Sequence, residues 1–427
     1  MPPSRTGGER PAGRFASPLL PIFLIVAVDV LGFTIILPLL PFYSEHLGAS
    51  PAVVGALVST YAICQLIAGP ILGQLSDRRG RRPILMVSQF GTLLGFLVLA
   101  FSNHVWMLFL ARAIDGATAG NLTIAQAYIS DVTKPEERAK SFALIGIAFG
   151  FGFLVGPAIA GFLATFGYQA PIFAASVLSF TSILGTFFLL PRREKIHEYN
   201  ESADSDPGPG GRRLSLISWG EYGRFFRDKQ LARLLLQWLL FSLSFSTFIS
   251  GFALFAERRY LWGHRPVGVR EVGYIFAFLG FIGIVMQGGM VGRLVKRFGE
   301  AKVIRLGFLT TALCQIALGL TRTISQLLWV TGVSSVGGAG LRPALTSMVT
   351  QSADKREQGV IIGLTQSLTS VAQITAPLIS GVLIGRHYLT VWAVWSGLLA
   401  GLALFFEPRT TAAPPKERDA LAAASRL

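Results

Sequence analysis

The feature that most constrains this chain is a series of apolar runs, each about 20 residues long, enough for a helix to cross the ~30 Å hydrocarbon core of a bilayer. Only 14% of the 427 residues are charged, whereas a soluble protein carries about 25%. This composition excludes soluble globular, disordered and coiled-coil chains and predicts an all-α membrane protein with twelve transmembrane helices. The predicted spans are 19–42, 51–75, 84–101, 106–131, 139–165, 169–191, 231–255, 271–292, 303–320, 325–350, 359–384 and 387–406.

The twelve spans fall into two groups of six. A charged segment containing Asp-Pro-Gly-Pro-Gly-Gly at 206–211 separates the groups and is predicted to be a solvated linker. The predicted domains are an N-terminal tail at 1–18, a six-helix bundle at 19–191, the linker at 192–230, a second six-helix bundle at 231–406 and a C-terminal tail at 407–427.

The distribution of positive charge predicts the orientation in the membrane. Cytoplasmic loops carry an excess of Lys and Arg, so the sparsely charged loops should face outward and both termini should be cytoplasmic. The same bias accounts for the net charge of +15 without a nucleic-acid partner. Of the 38 Lys and Arg residues, those in the predicted outer loops are Arg258, Arg259, Arg265, Arg270, Arg322 and Arg386.

The two groups of spans repeat one another in sequence. At offsets of 219 and 220 residues, the matched pairs are Gly73 with Gly292, Leu75 with Leu294, Gly80 with Gly299, Gly120 with Gly340, Pro157 with Pro377 and Gly161 with Gly381. This register predicts two pseudo-symmetric bundles. Internal duplication of this kind is typical of transporters that rock one half against the other around a central site.

The loop between spans 2 and 3 reads Gly-Gln-Leu-Ser-Asp-Arg-Arg-Gly-Arg-Arg-Pro over 73–83. Gly73 would let two helices approach closely, and Gly80 would supply a turn with positive φ. Asp77 lies among arginines, including Arg81, and such a cluster can form a latch of charge-assisted hydrogen bonds. The alternative is an ordinary basic loop.

Three ionisable residues lie within predicted spans of the first half. Asp29 is about 10 residues, or ~15 Å, into span 1, where a charged Asp costs about 2.5–3.5 kcal/mol. Taking up a proton avoids that cost, so Asp29 is a candidate for proton coupling; the alternative is a permanent structural hydrogen bond or ion pair. Arg112 and Asp115 are three residues apart in span 4. They could tune the proton affinity of Asp29 or form a static pair.

Span 5 is rich in small residues. Gly152, Gly156 and Gly161 recur at intervals that allow tight helix packing, and Pro157 frees a carbonyl and bends the helix. We expect these four residues to form a hinge and seal between the halves. Ordinary small-residue packing is the alternative.

Uncharged polar side chains on apolar spans tend to turn inward, and with aromatic surfaces they suit an amphipathic ligand. Interhelical hydrogen bonds are the alternative role for each amide. The candidates for a substrate cavity are Gln65, Gln126, Gln237, Gln287, Gln366 and Arg342. The sequence has no phosphate-binding loop of the ATPase type and no nucleophile–base constellation. We therefore expect no enzymatic activity, cofactor or metal.

Several of these segments resemble motifs of the major facilitator superfamily. Residues 73–83 resemble its loop 2–3 motif, 110–116 its span-4 motif with a buried arginine, and 152–161 its span-5 antiporter motif. Asp29, with the sequence that follows it, resembles span 1 of the drug:proton antiporters. Residues 127–133 are similar to the tetracycline/proton antiporters.

The resemblance implies a major facilitator fold with a cytoplasmic charge relay of Asp77, Arg81 and Asp131, which would bind the halves together near the start of span 11. The second-half copy departs from the motif, with Lys296 in place of Asp77 and Glu300 in place of Arg81. Spans 8 and 9 also lack the titratable residues of the tetracycline antiporters. This departure argues against tetracycline itself and concentrates proton coupling on Asp29.

Together these features predict a monomeric, proton-coupled exporter of amphipathic organic molecules that works by alternating access. By the resemblance, we expect it in a bacterial inner membrane. Two alternatives remain open on the sequence: a metabolite or sugar transporter, as a symporter or uniporter, and a non-transporting membrane receptor or scaffold.

Overall fold

The computed structural model describes residues 19–133, 138–190, 228–352 and 358–406, which are almost entirely helical. The helices of the first half are α1 Leu19–His46, α2 Pro51–Arg79, α3 Arg81–Ala100, α4 Val105–Ala117, α5 Asn121–Val132, α6 Arg138–Leu163 and α7 Gln169–Leu189. Those of the second half are α8 Lys229–Arg259, α9 Val269–Val285, α10 Val291–Phe298, α11 Glu300–Leu318, α12 Ile324–Gly338, α13 Leu341–Gln351, α14 Gln358–Gly385 and α15 Leu389–Leu402.

Short elements join or extend these helices. A π-helical turn, Met286–Met290, connects α9 to α10, and a two-stranded hairpin of β1 Leu261–Trp262 and β2 Arg265–Pro266 follows α8. Turns of 3₁₀ helix, Ala164–Phe166 and Ala403–Phe406, follow α6 and α15. The predicted all-α membrane fold is confirmed.

Ten helical segments in the described ranges are long and apolar enough to cross a bilayer. The remaining two predicted spans, 4 and 10, are each broken into two shorter helices, α4–α5 and α12–α13. In the first break, the Gly120 N–H donates to Ser88 Oγ at 2.9 Å, so α3 supplies a partner where the helix is interrupted. The second break falls at Gly340, the repeat partner of Gly120. The sequence repeat therefore reproduces an interruption of the helix in both halves.

The two ends of the bundle differ in their loops. One end, here called the basic end, carries the arginine-rich segment 78–82 and its repeat counterpart 293–302. The other, here called the opposite end, carries the connections at 47–50, 101–104 and 260–268.

The halves meet at the opposite end through two helix crossings. In the first, α2 crosses α14: a Cβ added at Gly55 would overlap the Pro377 carbonyl, and one added at Gly381 would overlap that of Pro51. Ser59 Oγ donates to the Ile374 carbonyl across the same crossing at 2.7 Å. Backbone-to-backbone approach of this kind is possible only where side chains are absent or very small.

The second crossing pairs α6 with α9. A Cβ at Gly161 would lie 2.8 Å from the Arg270 carbonyl, and one at Gly280 would lie 2.7 Å from the Phe153 carbonyl. One buried apolar cluster at the opposite end includes residues of both halves, such as Leu57 and Phe252.

At the basic end the buried apolar side chains form separate clusters for each half. Within the described ranges, a Cβ at Gly69 of α2 or Gly363 of α14 would meet no atom within 4 Å. These are the helices that cross tightly at the opposite end. The described halves are thus joined at the opposite end and spread toward the basic end.

Candidate functional site

Asp29 lies inside the first half rather than between the halves. It is half-buried on α1, within hydrogen-bonding reach of Gln89 on α3 and Ser182 on α7. Gln89 Nε2 donates to Ser182 Oγ at 2.7 Å, which links those two helices behind the carboxyl group. Asp29 Oδ2 is enclosed and has no hydrogen-bond partner among the described residues. A buried carboxyl oxygen left in this state favours the protonated, neutral form of the acid.

Arg112 and Asp115 form a buried ion pair beside this acid. Arg112 Nη2 lies 3.1 Å from Asp115 Oδ2, and the two residues are only 4% and 5% exposed. The Arg112 guanidinium lies 5.7 Å from the ring centroid of Tyr61 on α2. Asp115 is close enough to Asp29 for their charges to interact. The structure therefore assembles Asp29, Arg112 and Asp115 into one polar cluster in which a single cation faces two acids.

The sequence analysis missed the neighbours that complete the cluster. Gln89 and Ser182 are the nearest polar groups to Asp29, and Tyr61 covers Arg112. Their signal was weak, since each is an uncharged polar residue in a run that otherwise looks like an ordinary apolar span. Only the packing of α3 and α7 against α1 brings them to the acid.

A second ionic cluster lies at the basic end. Arg81 Nε donates to Asp131 Oδ2 at 2.8 Å, and Arg81 also pairs with Asp77. Its Nη1 donates to Ser76 Oγ at 2.8 Å. The predicted positive φ of Gly80 is confirmed at +101°, and this turn brings the start of α3 back to the end of α2. These printed partners of Arg81 all belong to the first half.

Two expectations for this cluster need qualification. A Cβ at Gly73 would meet Thr123 at 3.7 Å, an ordinary contact, so the predicted close helix approach is not required there in this conformation. The predicted contact of the relay with the start of span 11 falls partly on 353–357, which lie outside the described residues.

The repeat counterpart of this cluster has lost its charge pair. Glu300 Oε1, at the position that matches Arg81, accepts from Ser347 Oγ at 2.6 Å and from Gln351 Nε2 at 3.4 Å. Gln351 is the repeat partner of Asp131. The geometry of a loop residue bound to the end of the broken helix is kept, but an ionic contact has become a hydrogen bond to an amide and a hydroxyl.

A third cluster joins the two halves at the opposite end. Glu45 at the end of α1 accepts from Arg258 at the end of α8, with Oε1 2.5 Å from Nη2. Arg258 Nη1 also donates to Glu257 Oε2 at 2.9 Å. The pair is partly exposed, with side chains about a fifth accessible. The sequence gave no reason to pair these residues, because they are 213 positions apart.

The predicted hinge of span 5 divides between two interfaces. Gly156 and Gly152 pack on α1 within the first half, where Thr34 Oγ1 donates to the Gly152 carbonyl at 2.9 Å. Gly161 and the Pro157 carbonyl pack against α9 of the second half. The prediction that all four lie between the halves is therefore wrong for Gly152 and Gly156, because their side of α6 faces α1.

The predicted cavity residues also separate. Gln237 is 1% exposed and donates to the Ala403 carbonyl at 3.1 Å, so it is a packing residue of the second half and not part of a cavity wall. Gln65 is half-buried and donates to the Tyr61 hydroxyl at 3.2 Å. The remaining candidates are accessible or half-accessible, namely Gln126, Gln287, Gln366 and Arg342.

This arrangement of two repeated bundles, joined at one end and with buried ionic groups in the first, is that of a membrane transporter. A family model for the Major Facilitator Superfamily matches residues 22–332 and 288–426. The chain belongs to this superfamily of transporters and is an integral membrane protein.

Relatives at the sequence level include named resistance proteins. The chain is 30% identical over 393 residues to the tetracycline resistance protein, class B, of Escherichia coli, covering 90% of this chain and 92% of that protein. It is 27% identical over 396 residues to multidrug resistance protein 2 of Bacillus subtilis, covering 90% and 94%.

Solved structures with the same fold include the human organic anion transporter MFSD10, with a TM-score of 0.66 and 22% identity over 91% of this chain and 98% of that one. The nucleoside transporter NupG matches with a TM-score of 0.71 and 14% identity over 92% of this chain and 99% of that one. At these identities the likeness establishes the fold alone.

Proposed function

We propose that this protein exports amphipathic, drug-like organic molecules from a bacterial cell by proton-coupled alternating access, working as a monomer in the inner membrane with both termini in the cytoplasm. The names of the relatives support this direction and substrate class, since they are resistance proteins for tetracycline and for multiple drugs. The departure in spans 8 and 9 argues that tetracycline is not the substrate.

The observation that carries the proposal is the state of Asp29. Its carboxyl group is at membrane depth and has one enclosed oxygen without a partner in the described chain. An acid that is neutral in one conformation and ionised in another can carry a proton across. Because Asp29 lies between α1, α3 and α7, its protonation would act by changing how α1 packs within the first half rather than by direct contact with substrate.

The arrangement of the halves fits one state of such a cycle. By the positive-inside rule the basic end is cytoplasmic, so a bundle joined at the opposite end is an inward-facing form. In the complementary form, the Arg81 cluster would close the basic end and the Glu45–Arg258 pair would separate. The proposal thus assigns one ionic cluster to each gate.

An efflux assay on a panel of substrates tests the function. Cells with and without the protein are loaded with amphipathic dyes and drugs, and retention is followed with and without a protonophore. We expect protein-dependent efflux that the protonophore abolishes. Transport that is unchanged across a collapsed proton gradient would instead favour a uniporter, and no movement of any solute by purified protein would favour a receptor or scaffold.

A further inference from the structure

Arg342 is a cation at membrane depth in the second half. It lies on the first turn of α13, directly after the break at Ala339–Gly340. Nine residues separate it from the end of α13 at Gln351, a rise of about 13 Å at 1.5 Å per residue. Arg342 is therefore inside predicted span 10 and not in the basic loop.

The surroundings of Arg342 point to a water-accessible interior space. Its side chain is exposed, yet protein surrounds it on most sides. The other face of α13, carrying Leu341, Ala344 and Leu345, is buried against the apolar cluster of the second half. A side chain that pointed into lipid would have protein on one side only, so Arg342 faces the space that the spread halves enclose.

The described chain does not neutralise this charge. No carboxylate in the described ranges pairs with Arg342, in contrast with Arg81, Arg112 and Arg258. A guanidinium does not deprotonate in proteins. An unpaired charge at this depth is costly, and such residues mark substrate or ion pathways.

We propose that Arg342 binds an oxyanion of the transported molecule, so that the substrates are amphipathic organic anions such as aromatic carboxylates. The planar guanidinium can hold a carboxylate through two parallel charge-assisted hydrogen bonds. This inference rests on the proposed export function for its word "substrate", but the anion site itself can be tested by binding alone.

The test uses three fluorescent molecules that share one apolar body: pyrenebutyrate, its neutral amide and the corresponding primary amine. Binding to the purified full-length protein in detergent is measured by fluorescence titration for wild type, Arg342→Gln, Arg342→Lys and, as a matched control, Arg322→Gln at the opposite end. Movement of the same compounds is then measured in proteoliposomes with an imposed pH gradient.

We expect wild type to bind the carboxylate about tenfold or more tightly than the amide, as for a hydrogen bond to a charged group. Arg342→Gln should remove that preference while keeping affinity for the amide, Arg342→Lys should keep most of it, and Arg322→Gln should not change it. Retained amide binding also shows that Arg342→Gln is folded. If that variant does not fold, wild-type selectivity and the Arg342→Lys result still decide the matter.

Equal binding of carboxylate and amide by wild type, or a preference for the amine, would overturn the anion site. A preference that survives in Arg342→Gln would also overturn it. Selective carboxylate binding without gradient-driven movement of any of the three compounds would support the site and contradict the proposed export function. Gradient-driven movement of all three at equal rates would do the reverse.

Discussion

At the residue scale, the first half depends on a buried ion pair that is isolated from water. Arg112 and Asp115 are 3.1 Å apart and almost fully enclosed. Desolvating two charges costs as much as their attraction returns, so such a pair adds little net stability. Losing one partner is different, because an uncompensated charge is left inside.

Replacing one member of this pair should therefore be costly. We expect Arg112→Gln to lower the free energy of unfolding by about 3–5 kcal/mol, measured by thermal unfolding in detergent. The Arg112→Gln/Asp115→Asn double variant should be less destabilised than the sum of the single changes, since it leaves no lone charge. Additive losses would show that the two side chains act independently.

Individual side chains also show where sequence reasoning reaches its limit. Gln237 and Gln89 look alike in sequence, each an amide within an apolar run. One is bound to a backbone carbonyl inside the second half, and the other lies beside Asp29. Only the rotation of each helix about its axis separates the two roles, and a single sequence does not fix that rotation when the apolar residues surround the whole helix.

At the scale of elements, the crossing of α2 and α14 depends on the missing side chain of Gly55. A Cβ there would overlap the Pro377 carbonyl, and backbone atoms of two packed helices cannot yield as a flexible side chain could. The same helix offers an internal comparison at Gly69, where a Cβ would meet no atom of the described chain within 4 Å.

We expect Gly55→Ala to hold the opposite end open and to reduce export severely, whereas Gly69→Ala should transport as wild type. Opening is measured in a background lacking both native cysteines, by the reaction of a Ser59→Cys variant with a membrane-impermeant maleimide. Ser59 is 1% exposed in this structure, so slow labelling should become fast in Gly55→Ala. Equal labelling of the two glycine variants would contradict this reading of the crossing.

The two basic-end loops should differ in importance because they differ in charge. Arg81 makes ionic contacts to two acids, whereas Glu300 accepts from a hydroxyl and an amide. Charge-assisted hydrogen bonds are about twice as strong as neutral ones. We expect Arg81→Gln to slow efflux at least tenfold in an initial-rate assay and Glu300→Gln to slow it less than about twofold, estimates based on the worth of hydrogen bonds to charged groups. A larger effect at Glu300 would place the main latch in the second half.

Most elements could be predicted from apolar length alone, but the interruptions of spans 4 and 10 could not. Gly120 and Gly340 were visible as matched residues, yet an isolated glycine in an apolar run is compatible with a continuous helix. The break in the first half becomes favourable because Ser88 of α3 accepts from the freed Gly120 amide. Such a partner is known only once the helices are packed.

At the scale of the whole molecule, the Glu45–Arg258 pair is an ionic contact between the halves at the opposite end. Partly exposed pairs are worth little in isolation, about 0–1 kcal/mol. A conformational equilibrium that is nearly balanced can still respond to so small a term. The pair should therefore bias the closed opposite end without being essential for folding.

Charge reversal tests this role. Glu45→Arg and Arg258→Glu should each shift the halves apart at the opposite end, and the double variant should restore closure because it recreates the pair with reversed polarity. The shift is measured by distances between spin labels on the ends of α1 and α8. High salt should weaken the effect of each single change. Failure of the double variant to recover would mean that Glu45 and Arg258 act separately.

The central claim is that the protonation of Asp29 couples the proton gradient to movement of the halves. The most direct measurement compares wild type, Asp29→Asn and Asp29→Glu in proteoliposomes, following gradient-driven accumulation of a transported dye and its exchange in the absence of a gradient. We predict that Asp29→Asn retains exchange but loses accumulation, and that Asp29→Glu, which keeps a carboxyl group, accumulates dye. Gradient-driven accumulation by Asp29→Asn at the wild-type rate would contradict the account.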